Sequence, residues 1–113
     1  MIDAAFVRAL AFSMPEVTEA PHFERVAFKV RGKIFATMLE RDLTVNLLLT
    51  PANQDIFTLF DKNIIYPVPN KWGLKGATTV NMQLVPHDMF KDALKTAYCD
   101  RAPKDLATMI KFD

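Results

Sequence analysis

The stretch Arg25-Val26-Ala27-Phe28-Lys29-Val30-Arg31-Gly32-Lys33-Ile34-Phe35-Ala36 decides the fold. Val26, Phe28 and Val30 alternate with Arg25, Ala27, Lys29 and Arg31. That period of two belongs to a strand with one apolar and one basic face. Arg31-Gly32 marks a tight turn, and Lys33–Leu39 reads as the returning strand. Asp42 breaks it, after which Leu43, Val45, Leu47 and Leu49 alternate with Thr44 and Asn46 in a third strand. The connections are too short for parallel crossovers, so the three strands form an antiparallel meander.

Upstream, Ile2, Ala5, Phe6, Ala9 and Leu10 fall at helical spacing, which predicts a helix over 3–12 with Asp3 as its N-cap. Met14-Pro15 stops that helix, and residues up to about Pro21 read as a linker. Downstream, Thr50-Pro51 opens a second helix with Ile56, Phe57, Leu59 and Phe60 as its apolar face. A short strand over 64–68 belongs at an edge, because Pro67 and Pro69 cannot donate to a ladder. A loop over 70–76 holds Trp72, Gly73 and Gly76, with the glycines read as turn formers. Alternation returns over 77–84, with Thr78, Val80, Met82 and Leu84 against Thr79, Asn81 and Gln83. Pro86 opens a long helix whose buried stripe is Phe90, Ala93, Leu94, Ala97 and Tyr98, and 103–110 forms a short last helix. The expectation is a single α+β domain over 1–113, an antiparallel sheet with helices packed on one face.

Composition narrows the setting. Half of the 113 residues are hydrophobic and nine are Phe, so a core can form without a disulfide or metal. Cys99 is the only cysteine, which excludes an intramolecular disulfide. No basic segment leads into an apolar signal core, and no run approaches the roughly 18 apolar residues of a membrane span. A cytoplasmic protein with no membrane contact is expected.

The chemistry of catalysis is sparse. His22 opens a strand, His87 lies in the first turn of a helix, and Cys99 sits late in that helix. There is no C-x-x-C, no H-E-x-x-H, no G-x-G-x-x-G and no Walker A sequence. The expectation is a non-enzymatic protein with no metal and no cofactor.

Charge is more informative. The net charge is only +1, yet Arg25 to Lys33 carries four basic residues and no acid, and Lys62 to His87 carries three lysines and no acid. A near-neutral chain can therefore present a basic surface. The sheet face opposite the helices is expected to carry Arg25, Lys29, Arg31, Thr44, Asn46, Thr79, Asn81 and Gln83. Such cations also serve simply to discourage edge pairing. Trp72, between Lys71 and Lys75, is either an exposed stacking platform or a lid folded onto the core.

These residues carry a family resemblance. The run Pro21-His22-Phe23, then Ala27-Phe28-Lys29-Val30-Arg31-Gly32-Lys33-Ile34-Phe35-Ala36, the loop Pro67-Val68-Pro69-Asn70-Lys71-Trp72-Gly73-Leu74-Lys75-Gly76, and the opening Leu10 to Glu19 resemble the MmcQ/YjbR family in order and spacing. Ala77 departs from the pattern, where the family often has Trp. The resemblance implies a frataxin-like (CyaY-like) two-layer fold, also compared with double-wing DNA-binding domains, and a DNA-binding role. The iron site that the frataxin comparison suggests is not expected, because the first helix offers only Asp3 as an oxygen ligand.

The expected partner is double-stranded DNA. Phosphates would meet Arg25, Lys29, Arg31, Lys33, Lys71 and Lys75; Asn46, Asn81 and Gln83 would supply amides, with Trp72 beside them. Six such contacts give a salt slope of about −5. A protein–protein adaptor or weak homodimer using the same face is the alternative. A small-ligand pocket under the Trp72 loop is the third reading.

Overall fold

The computed structural model describes residues 1–112. In chain order the elements are α1 (Ala4–Phe12), β1 (Val17–His22), β2 (Arg25–Val30), β3 (Lys33–Leu39), β4 (Thr44–Leu48), α2 (Pro51–Thr58), β5 (Ile65–Pro67), α3 (Lys71–Leu74), β6 (Ala77–Asn81), α4 (His87–Arg101) and α5 (Lys104–Ala107). The strands form one six-stranded antiparallel sheet in the order β1-β2-β3-β4-β6-β5.

Register sorts the side chains into rows, because residues paired across antiparallel strands point to the same face. Val26, Met38, Val45, Val80 and Ile65 make one row, and all but the partly buried Val26 are fully enclosed. The next row over, Ala27, Thr37, Asn46, Thr79 and Tyr66, points the other way. Helix α4 lies across β3 and β4, and Phe90, Ala93, Leu94, Ala97 and Tyr98 enter the core on the apolar side. Val7 and Ala11 of α1, Phe57 of α2 and Leu106 of α5 join the same core. The α+β class and the helix-covered sheet therefore stand as expected.

Local signals explain most elements. Asp3 Oδ1 accepts from the Phe6 N–H at 2.8 Å, and Thr50 Oγ1 accepts from the Asn53 N–H at 3.2 Å, each as an N-cap. Arg31 and Gly32 both have positive φ, at 47° and 80°, matching the strand twist of a two-residue hairpin. A β-bulge interrupts β3: Phe28 pairs with Ala36 and Lys29 with Ile34, so Phe35 is the extra residue. The bulge turns Phe35 into the core, where its ring meets Tyr98 edge-on at 5.4 Å.

Three expectations need correction. Residues 17–22 are not a linker but the edge strand β1, fully paired with β2. Pro21 and the charged Glu19 hid it, and its turn uses Phe23 at φ 58° in place of the usual Gly or Asn. Strand β6 ends at Asn81, so Met82 to Leu84 lie in the turn before α4. Of the four residues expected as the apolar face of α2 only Phe57 packs on the core; Ile56 is exposed, as are Leu59 and Phe60, which lie past the end of the helix.

Phe35→Ala should destabilise the domain by about 3–5 kcal/mol in urea unfolding, the usual figure for a fully buried Phe. Phe23→Ala, at a residue that is 96% exposed, should stay within about 0.5 kcal/mol.

Candidate functional site

The sheet face left bare by the helices is hollow, a groove of about 520 Å³. Its floor is Ile34, Leu48, Val68 and Ala77. Thr37, Asn46 and Asn70 add polar atoms, and His22, Arg25 and Trp72 stand around it. No carboxylate lines it.

Sheet register places these groups. Arg25 lies over the adjacent strand: its Nε donates to Thr37 Oγ1 at 2.8 Å and its Nη2 to the Thr37 carbonyl at 3.3 Å. Desolvation pushes the Arg25 pKa down, against the pull of Glu24 and Asp42. An arginine so placed is a fixed wall with donors to spare. Asn46 Oδ1 accepts from Thr79 Oγ1 at 2.8 Å, so the end it offers a ligand is the amide donor.

Trp72 is 56% exposed, which resolves its two readings in favour of the outward one. It stands on α3, where Asn70 Oδ1 caps the Trp72 N–H at 2.8 Å. Lys71 Nζ and Lys75 Nζ lie 5.7 and 5.1 Å from the ring centroid, within cation–π range. The loop is held by close backbone approach: a Cβ on Gly73 would strike the Val68 carbonyl, and one on Gly76 (φ 112°) the Leu49 carbonyl. Gln54 of α2 adds a buried clamp, its Nε2 donating to the Gly73 carbonyl at 2.8 Å and the Ala77 carbonyl at 3.1 Å. A smaller hollow, lined by Leu48, Trp72, Lys75 and Arg101, lies beside the groove and shares Trp72 with it.

The remaining expected site residues do not converge there. Arg31 belongs to the helix side: its Nε and Nη2 donate to Glu16 Oε1 and Oε2 at 3.0 and 2.9 Å, and Asp105 lies 3.6 Å away. The Arg31 hydrogen bond holds the Glu16 carboxyl below its usual range, and the same bond raises the Arg31 pKa. Lys33 pairs with core-facing Val30 at the hairpin end, so it too leaves the open face. Asn81 Oδ1 is taken by the Gln83 N–H at 2.9 Å, a turn contact at the end of β6. Lys29, paired with Ile34, remains on the open face. Thus Arg25, Lys29, Asn46, Lys71, Trp72 and Lys75 come together, while Arg31, Lys33 and Asn81 stand apart. Gln54 and Arg101 were missed because only long-range contacts bring them to this region, and His22 was missed along with strand β1, which pairs it with Arg25.

Other reactive groups are engaged elsewhere. His87 meets Phe6 edge-on at 5.0 Å. Burial pushes the Cys99 thiol up, and Sγ donates to the Ala107 carbonyl at 3.7 Å. Among the described residues no three His, Cys, Asp or Glu side chains cluster as a metal site, and no helix is long and apolar enough to cross a membrane.

Comparison with known proteins gives two matches. A model of the family described as YjbR matches residues 12–99. The crystal structure of the Deinococcus radiodurans protein DR2400, described as carrying the DUF419 domain, superposes with a TM-score of 0.76 at 22% identity, covering 88% of this chain and 78% of that one. That likeness shows a shared fold. No curated protein matches the sequence.

Gln54→Leu should cost about 1–3 kcal/mol, since it removes two buried hydrogen bonds and leaves the Gly73 and Ala77 carbonyls only their backbone donors, the Gly76 and Val68 N–H groups. Trp72 is the only tryptophan, so its steady-state fluorescence anisotropy should fall in that variant as the loop loosens. The folded pKa of Glu16 lies below its unfolded value, so its contribution is complete above the unfolded value and is lost as pH falls through the folded one. A carboxyl NMR titration should find Glu16 below the ordinary carboxylate range, and Arg31→Gln should return it there.

Proposed function

The chain belongs to the YjbR family, and from that premise we propose that it is a non-enzymatic, cytoplasmic DNA-binding protein whose open sheet face, as in a frataxin-like or double-wing arrangement, is the contact surface. The observation that carries the reading is Trp72, exposed at the groove with two lysine ammonium groups over its ring and no carboxylate in the lining. Exposed aromatics flanked by cations suit a polyanion that also presents π-faces. Four cations around this region, Lys29, Lys71, Lys75 and Arg101, have no ion-pair partner among the described residues.

The count matters for affinity. Arg31 is held by Glu16 and Lys33 has left the face, so phosphate contacts number nearer four than six. Binding to duplex DNA is accordingly weak and salt-dependent, with a slope of about −3 to −4. A second reading, an adaptor or homodimer contact, is favoured by a different surface: Ile56 near the end of α2 and Leu59 and Phe60 just past it are all exposed. Concentration-dependent mass in solution is its signature.

Fluorescence anisotropy with a short random-sequence duplex tests the DNA reading. We expect saturable binding at low salt, the slope above, and an affinity at least about tenfold lower in a Lys71→Glu, Lys75→Glu variant. Arg31→Gln should change the affinity little. No binding at low salt, or no response to the lysine reversals, would contradict the proposal.

A further inference from the structure

We propose that the open-face groove receives an unpaired nucleobase stacked against Trp72, so that the preferred ligand is DNA with extruded or single-stranded bases rather than intact duplex. The inference rests on the DNA-binding reading and sharpens it.

Shape carries the first part. Surfaces that read an intact duplex project a helix or ribbon into a groove of the DNA. Here the basic, aromatic region surrounds a hollow instead, and stacked bases inside a duplex cannot reach its floor. A base swung out of the stack can. The groove's 520 Å³ falls within the roughly 300–1,000 Å³ of small-ligand sites, room for a base with its sugar.

Chemistry carries the second part. Ile34, Leu48, Val68 and Ala77 give a floor suited to the flat face of a base, and Trp72 beside it gives a stacking partner. Asn46 and Asn70 each have the amide oxygen engaged, by Thr79 and by the Trp72 N–H, so both present donors to the acceptor atoms of a base edge. His22 lies against the groove with Phe23 beside it, 96% exposed, as a second ring for the next base along the strand. Lys71 and Lys75 reach over the Trp72 ring, so a base that stacks there displaces their ammonium groups toward its own flanking phosphates, and Arg101 lies just beyond.

The test uses fluorescence anisotropy on the full chain with three DNA probes matched in phosphate number: an intact duplex, the same duplex with a central two-nucleotide bulge, and a single strand. A 2-aminopurine at the unpaired position reports stacking. The bulged and single-stranded probes should bind at least about tenfold tighter than the duplex, and the 2-aminopurine should be quenched on binding. Trp72→Ala should bring the ratio of affinities towards one, and Trp72→Phe should keep most of it. Equal affinity for all three probes, or a ratio unmoved by Trp72→Ala, would overturn the inference while leaving DNA binding in place. No binding of any probe would overturn both.

Discussion

Tyr98 ties the architecture together. Its ring meets Phe35 edge-on at 5.4 Å, and its hydroxyl donates to the Pro15 carbonyl at 2.7 Å. The first contact seats α4 on the bulge of β3; the second fixes the chain just before β1 begins. Burial around the hydroxyl raises its pKa, so it stays a donor across the neutral range. With α4 anchored there, α1 and α5 fill in beside it and the apolar rows of the sheet close on one side only.

The bare side follows from that asymmetry. A sheet covered on one face must offer its other face to water or a partner. Here the outward rows are neither charged throughout nor fully wet. Ile34, Leu48, Val68 and Ala77 keep the floor apolar, and the Trp72 loop rises beside it. Acidic residues pair off elsewhere: Glu16 with Arg31, Glu19 with Arg8, and Glu24 with Arg41. A chain of net charge +1 thus retains lysines without ion-pair partners near an aromatic groove.

Much of this was legible in the sequence where local rules decide the outcome. The two-residue period of Val26, Phe28 and Val30, the Arg31-Gly32 turn and the Thr50-Pro51 cap each named an element on its own evidence. Strand β1 was not legible, since an edge strand takes its stability from its neighbour and tolerates Pro21 and Glu19. Arg31 and Lys33 extend the alternation of β2 and β3 on paper, but the positive φ of the turn redirects Arg31, and the bulge at Phe35 puts Lys33 on the other face of β3. Asn81 shares the open face with Thr44 but sits at the opposite end of β6 from Ala77, which lines the groove. Gln54 and Arg101 carry no local signal, because each earns its role only from a partner about 20 or more residues away, as the Gln54–Gly73 contact illustrates.

On this structure the open face, and not the helical side, is where DNA is expected to bind. Amide chemical-shift mapping on titration with a DNA strand tests it most directly. Shifts are expected to concentrate at Ala27, Thr37, Asn46, Thr79 and the Trp72 loop, with the indole N–H moving most and α4 unaffected. Shifts centred on α2 or α4, with the Trp72 indole unmoved, would contradict it.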